Sequence, residues 1–292
     1  MATIVNKLCV IGTGLIGGSF CLALKEAGVC SNIIGAGRSE ETLKQARQLS
    51  IIDSYETDIS HAVKDADVIF VSVPLGAMRS VFEQVHSGLQ QAGNTFAIIT
   101  DAGSSKQQVQ QLAEEIFGED ASRFVAGHPI AGTENSGPAA AFAELYENRR
   151  VILTPTQDTD QAAIERVTRL WEKTGAMVET MSAEHHDKVL AATSHLPHLI
   201  AFGLVHCLEN IEDIEDVFRF AAGGFRDVTR IASSDPTMWR DICLNNQQPI
   251  LDMMKRYKDE MEMLYNALQA GDGEKLMEVF EHAKQTRDRF TH

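Results

Sequence analysis

The sequence predicts an α/β protein: a doubly wound parallel sheet in the N-terminal part, followed by an all-α C-terminal domain. Three observations carry this. Short β-branched runs alternate with helical patterns from Lys7 to Met181; a Gly12-x-Gly14-x-x-Gly17 loop lies between the first run and the first helix; and strand signals stop after Ser182. Strands alternating with helices favour a parallel sheet covered on both faces, because each parallel connection needs a crossover.

The elements follow in order. Lys7–Ile11 is the first strand and Leu15 to Ala27 the first helix; Asn32–Ala36 is the second strand and Glu40–Leu49 the second helix. The run Asp67-Val68-Ile69-Phe70-Val71-Ser72-Val73-Pro74 has the continuous apolar character of a strand buried on both faces. Phe96–Thr100 and Arg123–Ala126 are further strands, separated by a helix over Gln107–Phe117. Arg150–Thr154, a helix over Gln161–Thr174 and Ala176–Met181 complete the series. From Ala183 onward the chain reads as helices broken at Gly223-Gly224, Asp235-Pro236 and Gly271-Asp272-Gly273. Domains are therefore expected over 1–182 and 183–292. In the last long helix Leu251, Met254, Tyr257, Met261, Leu264 and Leu268 form one apolar stripe, suited to a core or a subunit contact.

Composition narrows the function. The 292 residues are 44% hydrophobic and 23% charged, as in soluble globular proteins, and carry a net charge of −15. Such acidity argues against nucleic acid, whose phosphates require a basic face. The N-terminus lacks the basic and apolar segments of a secretory signal, and no apolar run reads as long as a membrane span. Five cysteines without a CxxC pair read as reduced thiols of a cytoplasmic protein.

The glycine loop follows a strand and opens a helix, the context that makes it a dinucleotide cradle of the Rossmann type. Gly12 permits the tight turn, Gly14 lets the backbone approach a pyrophosphate, and Gly17 lets helix pack on strand; Leu15 and Ile16 begin the helix whose N-terminus faces the phosphates. Val73, Pro74 and Asp101, at the ends of neighbouring strands, are further cofactor candidates. At the end of the second strand, Gly37-Arg38-Ser39 stands where NAD sites usually carry an acidic residue. Nothing there repels a 2′-phosphate, and Arg38 and Ser39 can hold one, so NADP is preferred over NAD.

His128 follows a strand, at the carboxyl edge of the sheet where ligands of open α/β folds lie, in a loop shaped by Pro129 and Gly132. An imidazole with a pKa near ~6.5 can take the proton that hydride abstraction from an alcohol releases. Ser104 and Lys106, after the strand ending at Asp101, can point into the same crevice. His195 and His198 share a helix face around Pro197, which kinks or starts that helix. With His185, His186 and Asp187 nearby a metal site can be imagined, but the spacing favours histidines facing a carboxylate. Gly223-Gly224-Phe225-Arg226-Asp227-Val228-Thr229-Arg230 reads as a loosened turn whose guanidinium groups suit a carboxylate.

These motifs resemble the prephenate/arogenate (cyclohexadienyl) dehydrogenase family of tyrosine biosynthesis. The resemblance spans nearly the whole chain, through GTGLIGGS, DAGSSK, Gly127 to Gly137, SHLPH and Gly223 to Trp239. It implies a Rossmann domain with a helical dimerisation domain, hence a homodimer acting on a small anion. By position, it implies that His128 is the base for the ring hydroxyl and that Ser104 binds that hydroxyl or orients His128. His198 and Arg230 would hold substrate carboxylate, His195 would join them, Glu134 would stand at the entrance, and Asp227 and Trp239 would shape the pocket. The reaction implied is oxidative decarboxylation, giving 4-hydroxyphenylpyruvate from prephenate or tyrosine from arogenate. The chain ends soon after Phe290, so any tyrosine feedback is expected to act near the active site.

Two other readings use the same fold. In a β-hydroxyacid type of dehydrogenase a helical-domain lysine, here Lys188, would move the proton. A non-catalytic dinucleotide-binding dimer would need only the glycine loop and the apolar helices. Both leave His128, His198 and Arg230 without a task.

Overall fold

The computed structural model describes residues 4–133, 135–209, 211–212 and 214–290. Six strands, β1 (Val5–Ile11), β2 (Cys30–Ala36), β3 (Ser54–Glu56), β4 (Val68–Val71), β5 (Ile98–Asp101) and β6 (Phe124–Val125), form one sheet in the order β3-β2-β1-β4-β5-β6. Every pairing in it is parallel. The order reverses between β1 and β4, and a crevice opens beyond the carboxyl ends at such a point.

Both faces of the sheet are filled. Phe20 and Phe70 meet at 4.5 Å between ring centroids and Phe20 and Trp171 at 4.6 Å on one side. On the other, Phe82 packs on Phe117 and Phe124 at 5.1 and 5.4 Å. All four residues of β4 are buried, which explains its unbroken apolar run.

The expected strands and helices form, with one architectural difference. The later strands leave the parallel sheet: β7 (Gly127–Pro129), β8 (Arg150–Leu153) and β9 (Met177–Thr180) make a second sheet in which β7 runs antiparallel to β8. His128 therefore sits on a strand, paired with Ile152, and not in a free loop. The helices Ile59–Ala62 and Met78–Ala92 supply the remaining crossovers. Gly88 brings the second of these against the first, since a Cβ there would lie 2.4 Å from the Ser60 carbonyl oxygen.

After β9 only helices follow. Ala183–Leu190 runs through a π turn, Ala191–His195, into Leu196–Leu208. The wide turn falls where Pro197 lacks an N–H for the Thr193 carbonyl. By length and composition the run Ala183–Leu208 is apolar enough to cross a membrane, which the sequence reading passed over. Gly223–Thr229 is a short helix and not a loosened turn, and Pro236–Asn245 follows it. The chain divides into two compact units, Met1–Asn246 and Gln247–His292, a later division than the strand-to-helix change at residue 182. The second unit consists of the helices Gln247–Ala270 and Gly273–Phe290, and its Leu251, Met254, Tyr257, Met261 and Leu268 are exposed.

Candidate active site

The glycine loop connects β1 to the helix Leu15–Glu26 and has stereochemical reasons at each position. Gly12 has φ +95°, and a Cβ there would lie 2.2 Å from the Ser72 carbonyl oxygen. A Cβ on Gly17 would lie 2.0 Å from the Gly12 carbonyl oxygen, so helix and turn touch through bare backbone. Around Gly14 nothing lies within 4 Å of that position, and the first helical turn carries no acidic side chain. An open backbone approach to an uncompensated helix N-terminus fits a pyrophosphate. Leu15 is buried and Ile16 half-buried, with the Ile16 carbonyl accepting from Tyr146 Oη at 2.6 Å. Val73 borders the turn, Cγ1 lying 3.2 Å from where a Gly12 Cβ would be, and Pro74 beside it is exposed.

At the end of β2, Ser39 caps the next helix, its Oγ accepting from the Thr42 amide at 3.2 Å and from Thr42 Oγ1 at 2.9 Å. Arg38 is exposed and its side chain has no hydrogen-bond or ion-pair partner among the described residues.

Asp101 and Lys106 do not point into the crevice. Both are fully buried, and Lys106 Nζ donates to Asp101 Oδ2 and to the Gly127 carbonyl, each at 2.6 Å. Asp101 also accepts from the Gly103 and Gly127 amides at 2.7 and 3.0 Å. Asp101 thus spends its carboxylate on Lys106 and two backbone amides, and the pair anchors the strand that carries His128. Burial pushes the Lys106 ammonium down from its ordinary value, against the pull of Asp101.

His128 is buried and its Nδ1 lies 2.9 Å from His186 Nε2. His186 Nδ1 is 2.8 Å from Asp187 Oδ1, and the Asp187 carboxylate accepts the Lys106 and Gln107 amides at 2.8 and 2.9 Å. Burial, and then His186, Lys106 and His195, hold the His128 pKa well below the ordinary imidazole range. Burial also lowers His186, with Asp187 opposing. For Asp187 burial raises the carboxyl, but His186 and the two backbone amides outweigh it and the net shift is downward. Ser104 is half-buried and its hydroxyl makes no hydrogen bond among the described residues, so it can serve a ligand.

The other histidines lie on the helical run after β9. His195 is buried, and burial pulls its pKa to about 4, so it is a neutral group and not a cation for a carboxylate. Asn246 Nδ2 bonds both the Asp187 carbonyl at 2.8 Å and His195 Nδ1 at 2.9 Å. The Asp187 carbonyl can only accept, which fixes the amide's orientation and puts the His195 proton on Nε2, where the Ser104 backbone carbonyl is its neighbour. His198 donates from Nδ1 to the Ser194 carbonyl at 2.9 Å and stacks on Trp239, centroids 3.6 Å apart. Burial lowers its pKa, the Ser194 carbonyl opposes this, and Arg230 lowers it further, which places that guanidinium near the imidazole. Arg230, Arg226 and Asp227 are exposed, and their side chains have no partners among the described residues. Glu134 lies outside the described residues.

Family models agree with this arrangement. Residues 20–180 match the prephenate dehydrogenase nucleotide-binding domain and residues 182–282 the prephenate dehydrogenase dimerization domain. The chain belongs to the prephenate dehydrogenase family. Among relatives, it is 40% identical to the prephenate dehydrogenase of Bacillus subtilis, over 97% of this chain and 76% of that one. It is 37% identical to the cyclohexadienyl dehydrogenase of Zymomonas mobilis, over 98% and 96%. Of solved structures, prephenate dehydrogenase from A. aeolicus, in complex with hydroxyphenyl propionate and NAD+, superimposes with a TM-score of 0.89. It shares 38% identity, and the match covers 97% of this chain and 98% of that one. Synechocystis arogenate dehydrogenase gives 0.80 at 26% identity, covering 98% of this chain and all of that one.

Within this family framework, three residues escaped the sequence reading as site members: His186, Asp187 and Asn246. Asp187 follows His186 directly, but the groups they serve are 58 and 81 residues away, so spacing carried no signal. Lys188, the proton carrier of the β-hydroxyacid alternative, is exposed and bound to Glu184 at 2.6 Å. Among the described residues no group of three His, Cys, Asp or Glu side chains could hold a metal ion.

Proposed function

We propose that this chain catalyses the oxidative decarboxylation of prephenate to 4-hydroxyphenylpyruvate, with NADP preferred over NAD. The observation that carries the reading is His128: a buried imidazole, neutral at pH 7, with Nδ1 2.9 Å from His186 Nε2. A bound nicotinamide would supply the hydride acceptor. His128 takes the hydroxyl proton of the ring alcohol as the hydride departs, and Ser104 donates to or orients that hydroxyl. Arg230 and His198 hold substrate carboxylate, with Trp239 fixing the His198 ring. Loss of the ring carboxylate as CO2 aromatises the ring and supplies most of the driving force. The residues' work is placement and charge complementarity.

Preference for NADP rests on Arg38, exposed and unpaired where an acidic residue would exclude a 2′-phosphate. Arogenate is the second substrate in view, since the Zymomonas relative is a cyclohexadienyl dehydrogenase. The exposed stripe on the helix Gln247–Ala270 supports a homodimer, and the free cysteines support a cytoplasmic protein. Steady-state kinetics over prephenate and arogenate with each cofactor test the proposal, following reduced nicotinamide and released CO2. One CO2 per reduced nicotinamide with prephenate is expected, at higher kcat/KM with NADP. No turnover of either acid would remove the reading; turnover with higher kcat/KM for NAD would remove only the role of Arg38.

A further inference from the structure

We propose that His186 and Asp187 are a positioning pair that locks His128 in one tautomer, with its proton on Nδ1 and the Nε2 lone pair free for the substrate hydroxyl. This rests on the reading of His128 as the base.

The argument starts at the acidic end. Asp187 accepts two backbone amides, Lys106 N and Gln107 N, and is ionised. A carboxylate can only accept, so the 2.8 Å contact requires a proton on His186 Nδ1. His186 is itself neutral at pH 7, which leaves its Nε2 as a bare lone pair. That atom lies 2.9 Å from His128 Nδ1. Two lone pairs do not meet at that distance in a buried site, so His128 must donate. A neutral His128 with its proton on Nδ1 carries the lone pair on Nε2.

Proton transfer then balances without further movement. The substrate O–H bond breaks, the proton forms a bond to His128 Nε2, and the oxygen electrons form the carbonyl as hydride leaves the ring carbon. The Nδ1–H stays on His128, and its bond to His186 becomes charge-assisted as the imidazolium forms. No proton passes to His186, whose own Nδ1–H remains on Asp187. A purely structural role fits Asp187, which ties two helices together through backbone amides. It does not fit His186, whose ring bonds only Asp187 and His128 among the described residues.

Two variants and one spectrum test this. His186→Gln keeps an acceptor oxygen near the place of Nε2, whereas His186→Leu removes it. The leucine variant should lose about 10- to 100-fold in kcat while both KM values and cofactor affinity stay within about threefold. The glutamine variant should recover most of that loss. Wild-type kcat in the leucine variant, or equal loss in both variants, would overturn the proposal. Nitrogen-15 NMR of the wild-type histidines should show His128 protonated at Nδ1, and the opposite tautomer would overturn the proposal even if His186→Leu fails to fold. If His128→Asn is inactive while His186→Leu behaves as wild type, only the positioning pair falls. If His128→Asn turns over normally, the base assignment falls first.

Discussion

At one end of the site, where β5, β7 and the helix Ala183–Leu190 meet, Asp101, Lys106, His128, His186 and Asp187 are buried and bound to one another. At the other, Arg230 stands exposed near the His198 imidazole, its side chain without a hydrogen-bond or ion-pair partner among the described residues. On the proposed function, the contrast follows from two tasks. Moving a proton requires one defined tautomer and a desolvated imidazole, so the groups around it must be fixed before substrate arrives. Capturing an anion requires cations that are not already neutralised. In a chain of net charge −15, a cation that meets a substrate carboxylate must act against the chain's own field.

The comparison can be broken at either end. The largest effect is expected from Asp101→Ala, which strands the buried Lys106 ammonium and should cost about 3–5 kcal/mol of stability. A urea-unfolding midpoint equal to wild type would show that the buried end is not held by this pair. Next is the acid response. His128, His186 and His195 have native pKa values below the unfolded ~6.5, so the unfolded chain binds protons that the native state refuses. Stability present above pH 6.5 is therefore lost as pH falls towards about 4, His195 alone contributing on the order of 3 kcal/mol. Midpoints at pH 7 and 5 check the sign; a midpoint unchanged or higher at pH 5 would contradict it.

At the open end, Arg230→Ala should raise the KM for prephenate about 10- to 100-fold, with a much smaller change in kcat and no change in stability. An unchanged KM would move the carboxylate site elsewhere. The smallest effect belongs to Arg38→Ala, expected to raise the KM for NADP about 10-fold and leave that for NAD within about twofold. Equal effects on both cofactors would separate Arg38 from the 2′-phosphate.

The same contrast governs what the sequence disclosed. The glycine loop was legible because Gly12 and Gly17 answer local steric demands, a Cβ there lying 2.2 and 2.0 Å from backbone oxygens, while Gly14 leaves open space. The wrapped sheet was legible from apolar runs such as β4, whose lack of alternation reports burial on both faces. The helix Met78–Ala92 carried a readable stripe, Met78, Val81, Phe82, Val85 and Leu89, yet was not picked out. The three-residue β7 is too short to show a period, so the second sheet was missed. Lys106 was misread because a lysine after a glycine turn looks like a ligand group. Its partners, Asp101 and the Gly127 carbonyl, are defined only once β5 and β7 lie side by side. His186 and Asp187 stayed hidden for the same reason, whereas the exposed arginines, needing no partner, were visible from residue type alone.

Turnover of His128→Asn with prephenate and NADP tests the central claim most directly. Cofactor affinity should be retained while kcat falls by about two or more orders of magnitude, as removal of a positioned base requires. Near-wild-type kcat in a folded, cofactor-binding variant would contradict the account.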